Sequence, residues 1–123
     1  MKLIIAGSRT FDDFELLNRE CVQFIRAETT IPPTIISGTA NGADKLGERF
    51  AKRFNLPLLQ FPANWNEFGK RAGIVRNEEM AKVATHAIVF WDETSKGSSH
   101  MIETAKKYNL TLKIIQFGKP SLL

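Results

Sequence analysis

Three short polar stretches carry the chemistry this chain can offer. "GSR" (Gly7–Arg9) supplies open backbone, a hydroxyl and the fixed fork of donors of a guanidinium. "DETSKGSS" (Asp92–Ser99) places Lys96, Gly97, Ser98 and Ser99 where a helix begins. The first turn of a helix leaves backbone N–H groups unpaired and bears a partial positive charge, which suits phosphate. A phosphate or equivalent anion is therefore expected against Gly97, Ser98 and Ser99, with Lys96 beside it. The same residues also describe a turn closed by a serine cap. Arg9 is expected on the ligand, with pairing to Asp12 or Asp13 as its alternative.

The third stretch, "SGTANGAD" (Ser37–Asp44), is of another kind. Asp44 falls in the first turn of a helix, where its carboxylate repels phosphate. It either closes a capping box with Asn41 or accepts hydrogen bonds from ribose hydroxyls or steers a cation; the roles are compatible. Ser37, Gly38 and Asp44 are assigned to the sugar side of a ligand. Gly42 is expected to allow close approach to the backbone. Neither a P-loop nor a G-x-G-x-x-G fingerprint is present.

Two further segments join these loops. "FPANWNEFGKRAGIVRNEEM" (Phe61–Met80) mixes aromatics with Lys70, Arg71 and Arg76. Trp65 or Phe68 can stack on a base while the cations meet phosphate, although packing over the end of the sheet is the favoured role for Trp65. Arg76 and Asn77 start a helix aimed at the same crevice. Trp91 and Asp92 end a strand, a frequent place for binding residues. Asp44, Arg76 and Asp92 are the candidates for catalysis. Lys45, Arg49, Lys52 and Arg53 read as a solvated helix face, Cys21 as core, and His86 as a residue without a site role.

The elements that position these loops follow from hydrophobic period. Apolar runs predict strands at Lys2–Gly7, Thr34–Ser37, Pro57–Phe61, His86–Trp91 and Thr111–Phe117. Spacings of three and four predict helices over Asp12–Ala27, Asn41–Phe54, Ile74–Ala84 and Ser99–Tyr108. Strict alternation implies a mostly parallel five-stranded sheet in a three-layer α/β/α sandwich, with right-handed crossovers. With strand order 3-2-1-4-5 the crevice where strand order reverses lies between strands 1 and 4. The loops after strands 1, 2 and 4 then meet at one edge.

The bulk numbers set the outer limits. The chain has 123 residues, 43% hydrophobic and 24% charged, enough for a single core; residues 1–118 are read as that domain and 119–123 as a tail. The net charge of +4 favours anionic partners. No apolar run reaches membrane-spanning length, and the single cysteine excludes an internal disulfide. A cytoplasmic protein is expected, with neither metal nor cofactor.

Taken together, "GSR-x-F", "SGTANGAD", "FPANW…GKRAG…RNEEM" and "FWDETSKGSSHMI" resemble the YspA/YpsA-related branch of the SLOG superfamily, over nearly the whole chain. That superfamily also contains the LOG phosphoribohydrolases and the Rossmann-like domain of DprA. The resemblance implies a Rossmann-like fold binding nucleotides or nucleotide-derived molecules. Arg76, ahead of Met80, resembles the arginine of the LOG enzymes, and Gly97 and Ser98 resemble the Gly-Thr of their P-G-G-x-G-T loop. The glutamates expected next are replaced by His100 and Met101, so Asp44, Asp92 or Glu103 would have to serve in hydrolysis. Three functions follow as expectations: a module that senses or sequesters a nucleotide; an N-glycosidase, phosphoribohydrolase or deoxyribosyltransferase-like enzyme; and, ranked last, a DNA-binding protein. Self-association into a homo-oligomer is expected by likeness to LOG relatives.

Overall fold

The computed structural model describes residues 1–118; the assigned tail, 119–123, lies outside the described residues. Five strands form one sheet: β1 (Lys2–Gly7), β2 (Thr34–Ser37), β3 (Leu58–Gln60), β4 (His86–Trp91) and β5 (Thr111–Gln116). Their order is β3-β2-β1-β4-β5 and every pair is parallel. This is the expected Rossmann-like architecture.

The period-two alternation of β1 divides the core between the two faces of the sheet. Leu3 and Ile5 pack with α1 (Phe14–Glu28) and α2 (Ala43–Arg53) through Leu17, Cys21 and Phe50. Ile4 and Ala6 pack with α4 (Ala72–Val83) and α5 (Lys96–Lys107) through Met80, Met101 and Ile102. Each large side chain fully buried here contributes about 1.5–3 kcal/mol of transfer free energy. Cys21 is completely buried, as expected, and burial pushes its thiol far above the ordinary value. His86 contacts Glu28 at 2.9 Å and meets Phe24 edge-on, a packing role.

Helix starts differ from the periodicity by two or three residues, and at α1 and α5 a capping side chain decides them. Asp13 accepts from the N–H of Leu16 at 3.0 Å, so α1 opens at Phe14. Ser95 caps α5, which begins at Lys96 rather than Ser99. The connection after the three-residue edge strand β3 is not plain loop. It holds a short α3 (Trp65–Phe68), capped by Asn64, and a 3-10 turn (Gly69–Arg71) that runs into α4.

Candidate functional site

At the carboxyl edge of the sheet the loops after β1, β2 and β4 surround a cavity of about 330 Å³. The β1 loop brings Gly7 and Arg9 to its wall, and the start of α2 brings Asp44. Helix α4 adds Arg76 and Asn77, and the β4–α5 junction adds Asp92, Lys96, Gly97 and Ser98. Nine residues singled out from sequence therefore meet at one place.

The wall at α5 is built by nested caps. One oxygen of Asp92 accepts from the N–H groups of Ser95 at 2.8 Å and Thr94 at 3.0 Å. Those backbone hydrogen bonds hold its carboxyl below the ordinary value, so it is an anion. Ser95 Oγ donates to Ser98 Oγ at 2.9 Å and accepts from the Ser98 N–H at 3.4 Å. The Ser99 N–H already donates to the Ser95 carbonyl at 3.1 Å. Ser99 stands outside the cavity wall, whereas Lys96, Gly97 and Ser98 line it.

The wall at α2 differs. Asn41 and Asp44 form no capping box, because the residue at the cap is Gly42, with φ +79°. A Cβ there would lie 2.3 Å from the Ser8 carbonyl oxygen, and the Ala43 N–H donates to that same carbonyl at 3.3 Å. The close approach Gly42 allows is thus to the protein's own β1 loop. Asp44, 5% exposed, turns back to accept from the Ala40 N–H at 3.1 Å. Burial raises its pKa to about 6, against the pull of that hydrogen bond and of Arg76 and Arg9, while Glu48 pushes the same way as burial.

Arg76 links α4 to the β2 loop. One Nη donates to the Gly38 carbonyl, and Nε donates to Asn77 Oδ1 at 3.0 Å. Partial burial lowers its pKa, with Asp44 acting in the opposite direction. Gly38 has to be glycine for this meeting: a Cβ would lie 2.8 Å from both Arg76 Nη1 and Asp44 Oδ2. Asn77 in turn lies 3.1 Å from His100 Nδ1, a support that sequence reading missed. Arg9 is exposed and makes no ion pair among the described residues, so its pairing with Asp12 or Asp13 is not observed.

Several expected ligand residues hold the walls rather than line the cavity. Ser8 is buried, and its Oγ accepts from the Asp92 N–H at 3.1 Å, tying the β1 and β4 loops together. Ser37 is also buried; its Oγ donates to Glu48 at 2.8 Å and accepts from the Thr39 N–H at 3.0 Å. Trp91 donates from Nε1 to the Ser95 carbonyl at 3.2 Å. Gly38 borders a second cavity, of about 350 Å³, whose wall also contains Arg9, Arg76 and Trp65. Trp65 does not pack over the sheet, being 54% exposed. Arg49, on the basic α2 face, lies 4.1 Å from the Phe14 ring centroid.

Among the described residues no cluster of three or more His, Cys, Asp or Glu is arranged to hold a metal, and no helix is long and apolar enough to cross a membrane. The chain is 32% identical over 90 residues to the Gene 61 protein of Mycobacterium phage D29, covering 68% of this chain and 70% of that protein. No solved structure matches it significantly. The model of the YspA, cpYpsA-related SLOG family matches residues 1–68, more than half of the chain and including the β1 and β2 loops. The chain belongs to the YspA, cpYpsA-related SLOG family.

Proposed function

We propose that the chain binds a nucleotide or a nucleotide-derived phosphorylated nucleoside in this cavity and acts as a sensing or sequestering module. A phosphate sits on the first turn of α5, and the sugar lies toward Gly38 and Asp44 at the β2 loop. One observation carries the reading. Lys96 and Gly97 line the cavity, and their N–H groups have no partner among the described residues. Unpaired amides at a helix start favour phosphate, and Arg9 and Arg76 share the same wall. The volume falls within the range that small-ligand sites occupy, about 300–1,000 Å³.

Calorimetric titration with nucleoside monophosphates tests this, together with thermal unfolding. Ligand at 100 times its Kd is expected to add about 2.7 kcal/mol of stability. The account requires the gain to shrink in Arg9→Ala and Ser98→Ala. Equal stabilisation of these variants places the ligand elsewhere.

A second reading has its own observation. Asp44 and Asp92 share one cavity, yet burial pushes the first up to about 6 while hydrogen bonds hold the second below the ordinary range. Separation of two carboxyls in this way is how a site divides acid from anion near neutral pH. It fits hydrolysis or transfer at an N-glycosidic bond, with Arg76 beside the reacting sugar. Release of free base, detected by chromatography and lost in Asp44→Asn with binding retained, identifies the enzyme. Binding without base release leaves the sensor. DNA binding ranks third; it requires affinity that falls steeply with salt.

A further inference from the structure

The proposed phosphate site does not stand alone. The cavity beside it shares Arg9, Ala40 and Arg76 with it. The two guanidinium groups therefore stand at a neck between two chambers. The chambers differ in chemistry. The first contains both carboxylates and the start of α5. The second has no acidic side chain in its wall; it adds Trp65, Thr39 and Asn41.

Trp65 is held out to this second chamber. Asn64 caps α3 twice, its Oδ1 accepting from the Glu67 N–H at 3.1 Å and its Nδ2 donating to the Glu67 carboxylate at 3.1 Å. Yet α3 buries none of its residues. An indole ordinarily dominates a core when it packs; here a capped turn fixes its backbone and leaves its ring open. Aromatic faces presented this way stack on bases of any identity.

Resting on the function proposed above, we infer that the second chamber seats an aromatic base stacked on Trp65. The ligand is then a nucleoside 5′-diphosphate, or an ester of one, whose phosphates run past Arg9 and Arg76 to the first turn of α5. A diphosphate carries its charge across the neck, where two planar donor forks match phosphate oxygens. Thr39 and Asn41 offer hydrogen-bonding groups to the edge of the base.

The test is calorimetry on the whole chain with AMP and ADP, the guanosine, cytidine and uridine pairs, and inorganic pyrophosphate. For at least one base the diphosphate is expected to bind at least tenfold more tightly than its monophosphate. Trp65→Ala is expected to weaken that diphosphate about tenfold or more, since stacking is lost, and to leave pyrophosphate within about twofold. Trp65→Phe restores most of the loss. Lys96→Ala weakens nucleotides and pyrophosphate alike. Equal binding of mono- and diphosphates, or no effect of Trp65→Ala, overturns the inference; the anion site itself survives if Lys96→Ala still weakens binding. Absence of binding by every nucleotide and by pyrophosphate overturns both.

Discussion

Two helices start at the same edge of this sheet, and their starts have opposite chemistry. Both α2 and α5 present a positive dipole end to one cavity. At α2 the space is taken by the protein's own carboxylate: Asp44 accepts from Ala40 and faces Arg76. At α5 the first turn contains no acidic side chain; Lys96, Gly97 and Ser98 stand there, and the carboxylate of Asp92 is spent on the turn before it. The dipole is common to both; the difference lies in side chains within one turn, which give one start its own carboxylate and the other none. The difference also explains why glycine matters unequally. Gly42 and Gly38 are clamped against backbone and charged groups, whereas a Cβ at Gly97 meets nothing within 4 Å.

The largest expected effect is at the α2 start. Gly42→Ala forces a side chain into a positive-φ conformation and to within 2.3 Å of the Ser8 carbonyl. Strain of this kind costs at least about 1–3 kcal/mol, and the clash adds to it. Urea unfolding is expected to show a loss of that size or greater, while a loss under about 0.5 kcal/mol would remove the clamp from the account.

Asp44 is next. The folded state holds its proton more tightly than the unfolded state, where a pKa of about 3.9 is ordinary. Its contribution is therefore full below about pH 4 and is lost as pH rises through about 6. The stability of wild type minus that of Asp44→Asn should fall by roughly 2–3 kcal/mol between those limits. A flat difference means that folding leaves the carboxyl's pKa at its unfolded value.

Smaller effects sharpen the α5 side. Lys96→Ala is expected to leave folding within about 0.5 kcal/mol of wild type, as for an ordinary surface change, yet to weaken phosphate-bearing ligands by several-fold. Smallest is Gly97→Ala. Replacing glycine inside a helix stabilises by up to about 1 kcal/mol where space allows, and space is open here. Thermal unfolding should move up slightly; a decrease would mean that α5 begins later than Lys96.

The sheet was legible because its strands are short apolar runs separated by helical spacing, and order 3-2-1-4-5 then put three loops together. What sequence concealed was the direction of side chains within those loops. Ser8 and Ser37 look like ligand hydroxyls, but each finds a partner inside the protein, in the Asp92 N–H and in Glu48. The spacing of Asn41 and Asp44 imitates a capping box, and only the positive φ of Gly42 rules it out. Trp65 reads as packing because indoles usually are buried; the three-residue β3 and the capped α3 leave it open. Asn77 and His100 are far apart in sequence, so their contact carries no local signature.

The contrast between the two helix starts is tested most directly by amide resonances during titration with inorganic pyrophosphate. The account predicts saturable shifts at Lys96, Gly97 and Ser98, with the amides of Ala43 and Lys45 nearly unmoved. Saturable shifts at Ala43 and Lys45, with the first turn of α5 silent, would contradict it.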